Sequence, residues 1–271
     1  MKLNGKIILK GIGLHSGREC EVIIEPCDSD SILIRSGENE MPIEKMNLSG
    51  TNRGSDYIFP NGERIRTCEH VFSALYGMGI YSGVRVSVKG GEMPALDGCA
   101  RTLCDEIKKN SCAESISQDA LRISEPLIVY GDDRRRFVAA FPCDDIRITY
   151  TVEYKYIGAQ VFDFIFTPEN YYINISNART FAMLSDIEYL RAHGMALGGT
   201  FDNAIAISEN GIHASGGLRW PNEFVRHKAL DLIGDLAAIG RPLKAHIIAM
   251  KAGHELHLRL SEKLRGENDN A

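Results

Sequence analysis

His227, Asp231 and Asp235 recur at four-residue intervals in the run EFVRHKALDLIGDL. Residues three or four apart share one face of an α-helix. At about 100° per residue, these three side chains fall within roughly 80° of one another. Val225, Ala229, Leu232, Ile233 and Leu236 fill the opposite side. One helix would therefore present an imidazole and two carboxylates along a stripe and pack the rest into a core. An imidazole one turn from a carboxylate can share a divalent cation, because their lone pairs converge on one point. An ordinary amphipathic helix with a solvated polar face shows the same spacing.

A second cluster changes that balance. RIRTCEHVFSALYGMGI reads as a helix entered at Thr67, with Glu69 and His70 adjacent in its first turn. Helical neighbours diverge by about 100°, so one can bind a metal while the other reaches past it to a water. A glutamate there is also what a capping box and the helix dipole favour. A third element is Lys251-Ala252-Gly253-His254, a histidine after a glycine turn that follows the apolar run HIIAM. Catalytic zinc sites commonly use three protein ligands and leave a fourth position for water. His70, His227 and Asp231 fit that count, with Glu69 as the general base. The same two histidines and one carboxylate would also suit iron(II).

The elements that must position these groups are ordinary globular material. The 271 residues are 44% hydrophobic and 25% charged, enough for one large or two medium domains. The net charge of −5 and the absence of a Lys/Arg block argue against a nucleic-acid partner. No apolar run approaches the roughly 20 residues that span a bilayer. The start, MKLNGKIILKGIGLHSG, lacks the character of a signal peptide. Seven cysteines without a CxxC pair suggest free thiols in a reducing cytoplasm.

The composition turns polar over 109–119, and a domain boundary is expected there. Before it, strand-like runs lead to the Glu69/His70 helix, then the strand GVRVSVKG, a turn and the helix TLCDEIKKN. After it, RISEPLIVYG, RRFVAAF and RITYTVEY lead to the His227 helix, the strand AHIIAM, a glycine turn and the helix LHLRLSEKL. This weak duplication predicts an α+β fold of two similar domains, residues 1–115 and 119–271, with the metal held between them. Two segments stand outside the pattern and read as inserts, 47–63 and 177–211. GIGLHSG lacks a Walker ending and reads as a strand-to-strand turn.

The segments GIGLHSG, RIRTCEHVFSALYGMGI, MPALDG, ARTF, SDIEYLRAHGMALGGTFDNAI, FVRHKALDLIGDL and KAGHELH together resemble a known family. It is that of the zinc-dependent UDP-3-O-acyl-N-acetylglucosamine deacetylases of lipid A biosynthesis. The resemblance runs from about Gly11 to His257. It implies two βααβ-type domains forming a layered sandwich, each with an insert, the second forming an apolar passage for an acyl chain. It implies His70, His227 and Asp231 as ligands of Zn2+, with Fe2+ as the other candidate, and Glu69 as the base. His254 would be the protonated partner of the leaving amine, Asp235 would orient it, and Thr180 would donate to the oxyanion. Lys228 and Phe181 would contact the sugar nucleotide, and Tyr154 is the candidate to stack on its base. The implied partner is an acylated UDP-amino-sugar substrate, and the protein is expected to work as a cytoplasmic monomer.

Amide hydrolysis needs a strengthened nucleophile, a polarised carbonyl and a protonated leaving nitrogen, and this residue set can supply all three. Two rivals are an amidohydrolase of another N-acyl sugar and a sugar-nucleotide-binding protein with a structural metal. An acyl passage speaks against the first. A non-ligand Glu69 and a three-ligand site speak against the second.

Overall fold

A computed structural model of the chain describes residues 1–51, 53–112 and 118–268. The expected boundary between 115 and 119 falls largely on residues 113–117, outside the described residues.

Alternating side chains build two sheets with matching plans. The first contains β1 (Ile7–Ile12), β2 (Glu19–Pro26), β3 (Ile32–Ser36), β4 (Asn39–Pro42) and β5 (Val84–Lys89), in the order β1-β2-β5-β3-β4. The second contains β6 (Leu127–Tyr130), β7 (Phe137–Pro142), β8 (Arg147–Tyr154), β9 (Gly158–Ile165) and β10 (Leu243–Met250), in the order β6-β7-β10-β8-β9. The short strand Leu121–Arg122 joins the second sheet beside β10. In both sheets the single parallel pair on the main path is the central one, β5 with β3 and β10 with β8. Period-two burial is clear: Leu243, Ala245, Ile247 and Ala249 of β10 point inward, as do Ile32 and Ile34 of β3.

Six α-helices occur among the described residues: α1 (Glu69–Gly77), α2 (Arg101–Lys109), α3 (Pro168–Asn174), α4 (Leu184–Ala192), α5 (Glu223–Leu236) and α6 (His254–Asn268). The chain is thus a mixed α+β protein. In each half, a helix precedes the central strand and another follows it: α1 and α2 flank β5, and α5 and α6 flank β10. The inward faces of both sheets share one apolar core with these helices. α1 packs along α5, and α5 packs on α6 and on β8.

The structure differs from the sequence reading at several points. RISEPLIVYG is not one strand, because it breaks ahead of Pro126 and resumes at Leu127. The strand β9 and the helix α3 were not anticipated. The first insert carries strands of its own: Asn47–Thr51, Gly54–Ile58 and Arg64–Ile65 form a three-stranded antiparallel sheet. The second insert is a parallel pair, Phe181–Met183 with Ile205–Ser208, spanned by α4 and extended by a hairpin strand at Gly211–His213. GIGLHSG is the turn between β1 and β2, as read. No helix among the described residues is long and apolar enough to cross a membrane.

Candidate active site

α5 carries the polar stripe into the interior. His227, Asp231 and Asp235 are all buried, and so are Ala229, Leu232, Ile233 and Leu236 on the rest of the helix. α1 begins at Glu69 rather than at Thr67. Thr67 has a φ of 56°, and its hydroxyl goes to Glu92 at 3.1 Å instead of capping the helix. The first-turn carboxylate of Glu69 makes no cap either. It turns inward and accepts the backbone N–H of Ser55 at 2.9 Å. α6 begins at His254 itself, so the glycine turn delivers that histidine as the first helical residue.

These three helix segments meet. Asp231 Oδ1 lies 3.2 Å from His227 Nε2 and 3.8 Å from His70 Nε2. One ligand atom from each of the three residues lies within 4.8 Å of the others. His227 Nδ1 is 3.0 Å from the Ala178 carbonyl oxygen, so it donates there and leaves Nε2 as a lone-pair donor. Asp231 Oδ2 accepts from Lys228 Nζ at 2.7 Å, but Oδ1 is buried and accepts no hydrogen bond. A buried carboxylate oxygen without a donor is costly. A divalent cation is the partner that two neutral imidazoles and a bare oxygen suit, so the donor set fits the expected metal.

The electrostatics agree with that assignment. Burial, reinforced by the neighbouring imidazole of His227, pushes the His70 pKa down to about 3. Burial also lowers that of His227, so both rings are neutral at pH 7. Burial would raise the Asp231 carboxyl, but the imidazole of His227 and the ammonium of Lys228 outweigh it and hold it well below the usual carboxylate range. Lys228 is raised in turn: burial works against its charge and Asp231 more than offsets that. Burial lifts Glu69 to about 7. For His254 burial opposes charge, yet Asp235 and Asp231 prevail and raise it to about 10.

His254 Nδ1 lies 2.9 Å from Asp235 Oδ2, and its Nε2 lies 3.5 Å from Asp231 Oδ2. Asp235 also takes His257 Nδ1 at 2.8 Å, and His257 Nε2 meets the Tyr150 hydroxyl at 2.9 Å. A cavity of about 390 Å³ opens onto this cluster, walled on the polar side by Glu69, His227, Lys228, Asp231 and His254. Thr180 and Phe181 line it too, the second insert adds Ile187, Leu190, Ala196, Phe201 and Ile205, and Leu14, His15 and Arg53 reach it from the first half of the chain.

Of the residues expected from sequence, His70 and Asp235 stand behind the wall and touch those in it. Tyr154 sits outside the cavity, its ring edge-on to Phe181 with centroids 5.1 Å apart. Phe181 in turn packs on His227 at 5.9 Å. Sequence reading missed Ser55, His257 and Tyr150. His257 could have been found, since it lies one turn after His254 in KAGHELH. Ser55 carried no signal, sitting in the polar insert 47–63.

The family model of LpxC, UDP-3-O-acyl N-acetylglycosamine deacetylase, matches residues 1–266. The chain belongs to this family. Among curated UDP-3-O-acyl-N-acetylglucosamine deacetylases, that of Oleidesulfovibrio alaskensis is 35% identical over 258 residues, covering 91% of this chain and 82% of that protein. The Geotalea uraniireducens protein is 34% identical over 275 residues, 98% and 88% of the two chains. The Chlamydia trachomatis protein is 33% identical over 270 residues, 97% and 93%. The LpxC match thus takes in every residue of the cavity wall and of the buried cluster behind it.

Proposed function

We propose that this chain removes the N-acetyl group of UDP-3-O-acyl-N-acetylglucosamine as a metal-dependent amidohydrolase, releasing acetate and UDP-3-O-acyl-glucosamine in lipid A biosynthesis. One observation carries the metal-dependent reading. The undonated Asp231 Oδ1 faces two neutral imidazoles beside a cavity whose far walls are apolar. His70, His227 and Asp231 would hold zinc, or iron(II) with the same donors. When bound, the cation supplies Lewis-acid polarisation of the amide carbonyl and makes water a stronger acid.

The chain's own groups do the proton work. Glu69, raised to about 7 by burial, is a base matched to neutral pH. It takes the proton of the attacking water. His254, held cationic by Asp235 and Asp231, gives a proton to the departing nitrogen. Asp235 fixes Nδ1 of that ring and so aims Nε2 at the cavity. The Thr180 hydroxyl donates to the developing oxyanion. Lys228 and Phe181 contact the sugar nucleotide, and Tyr154 braces Phe181 from outside or stacks on the base. The apolar insert receives the acyl chain.

The matching strand orders support two βααβ-type domains, 1–115 and 119–271, layered with their helices inward and the site between them. One chain supplies every site residue, which supports a monomer as the working unit. Seven free cysteines support the cytoplasm as its location. The test is acetate release from UDP-3-O-acyl-N-acetylglucosamine before and after chelation. Activity should vanish with the metal and return on adding zinc. Full turnover by metal-stripped protein would overturn the reading.

A further inference from the structure

Ser55 belongs to the first insert, yet it is fully buried and hydrogen-bonded to both Glu69 and Asp235. It lies on the strand Gly54–Ile58, paired with Gly50 of the strand before it. That sheet is pressed against the start of α6: a Cβ on Gly50 would lie 2.6 Å from the backbone nitrogen of Glu255 and 2.7 Å from the carbonyl carbon of His254. The insert is therefore locked to the helix that begins with His254.

Each polar group of Ser55 is used. Its carbonyl accepts the N–H of Cys68 at 3.0 Å, immediately before α1. Its N–H donates to Glu69 Oε2 at 2.9 Å. Its hydroxyl donates to Asp235 Oδ1 and lies 3.1 Å from His254 Nδ1. With Asp235 ionised, Nδ1–H of His254 is shared between Asp235 Oδ2 and Ser55 Oγ. A hydroxyl can donate once and accept twice, so one oxygen satisfies both neighbours.

We propose that Ser55 is the positioning residue that couples the base to the acid. Its backbone fixes Glu69, and its hydroxyl fixes the Asp235–His254 pair. Ser55 would touch no substrate atom and would act through these neighbours. Holding a proton donor within a few tenths of an ångström of its target is worth large factors in turnover and little in ground-state binding. Loss of the hydroxyl also strips a buried carboxylate of one donor, which loosens the ring that Asp235 holds.

The inference rests on the deacetylase reading above, and the experiment separates the two. Acetate release is measured for the wild-type metal-loaded protein, for Ser55→Thr and for Ser55→Val. The two variants have nearly the same shape, and only threonine keeps a hydroxyl. Ser55→Thr should keep kcat within a few-fold of wild type. Ser55→Val should lose on the order of 10-fold or more in kcat, with KM and bound metal unchanged. Thermal unfolding should place Ser55→Val below Ser55→Thr, because only valine leaves buried Asp235 short of a donor, with both variants folded at the assay temperature. Equal kcat for the two variants, whether both high or both low, would overturn the role of the hydroxyl. So would a loss in Ser55→Val that appears in KM or in metal content. Failure of the wild-type protein to release acetate would instead refute the deacetylase reading.

Discussion

Gly234 of α5 sits against the backbone of Glu69 at the start of α1, so closely that a Cβ on Gly234 would lie 2.0 Å from the Glu69 carbonyl oxygen. Real Cβ atoms do not approach that near, so glycine lets the two helices cross here. That crossing carries His70 of α1 to Asp231 of α5, one turn from the glycine. Gly234→Ala should push the helices apart, lower stability by roughly 1–3 kcal/mol as overpacking does, and weaken metal binding. Thermal unfolding and metal titration check this together. Unchanged Tm and metal affinity would mean that the crossing has slack to spare.

Glu69 tests the separation of base from ligand. Glu69→Gln keeps the side chain's shape and its acceptor for the Ser55 N–H, but removes the basic carboxylate. Turnover should fall by on the order of 10²-fold or more, as for loss of a general base, while bound metal stays constant. Loss of metal in this variant would make Glu69 a ligand.

Asp235 and His254 give a pH prediction. Burial disfavours the imidazolium of His254, and the carboxylates of Asp235 and Asp231 lift it to about 10. An acid must be protonated to act, so activity should decline as pH rises through that group's pKa. Asp235→Asn removes one raising charge and leaves burial in place. The descending limb of the kcat profile should therefore move to lower pH. An unmoved limb would break the pairing.

The repeated order of helix, central strand and helix was legible because the periodicities of those elements recur along the chain. The polar stripe on α5 was readable for a similar reason: four-residue spacing puts His227, Asp231 and Asp235 on one face once the segment is helical. What escaped depends on contacts between distant segments. Ser55 and Asp235 are 180 residues apart and meet only in the folded chain. Thr67 looked like a cap, but its left-handed backbone sends its hydroxyl to Glu92. The strand Gly54–Ile58 escaped because its polar residues, Ser55 and Asp56, are buried against partners that local sequence does not reveal. Not every apolar residue of the second insert lines the cavity. Met183 packs within the cluster of Ile205, Ile207 and Phe224, and Leu197 lies against Gly17.

The passage itself is tested by chain length. Ile187, Leu190 and Ala196 do line the cavity, and each buried methylene of a bound chain contributes ~0.8 kcal/mol. Replacing the 3-O-acyl group by a short one should cut kcat/KM by orders of magnitude without altering the reacting amide. Equal turnover of long and short substrates would favour an amidohydrolase of simpler N-acyl sugars.

Metal analysis of the purified chain beside His227→Ala and Asp231→Ala bears most directly on the site. The wild-type protein should carry about one divalent ion per chain, as a three-ligand catalytic site requires. Each variant should lose the ion and the deacetylase activity together, while remaining folded by circular dichroism. Full metal occupancy in both variants would contradict the assignment of His70, His227 and Asp231 as the metal centre.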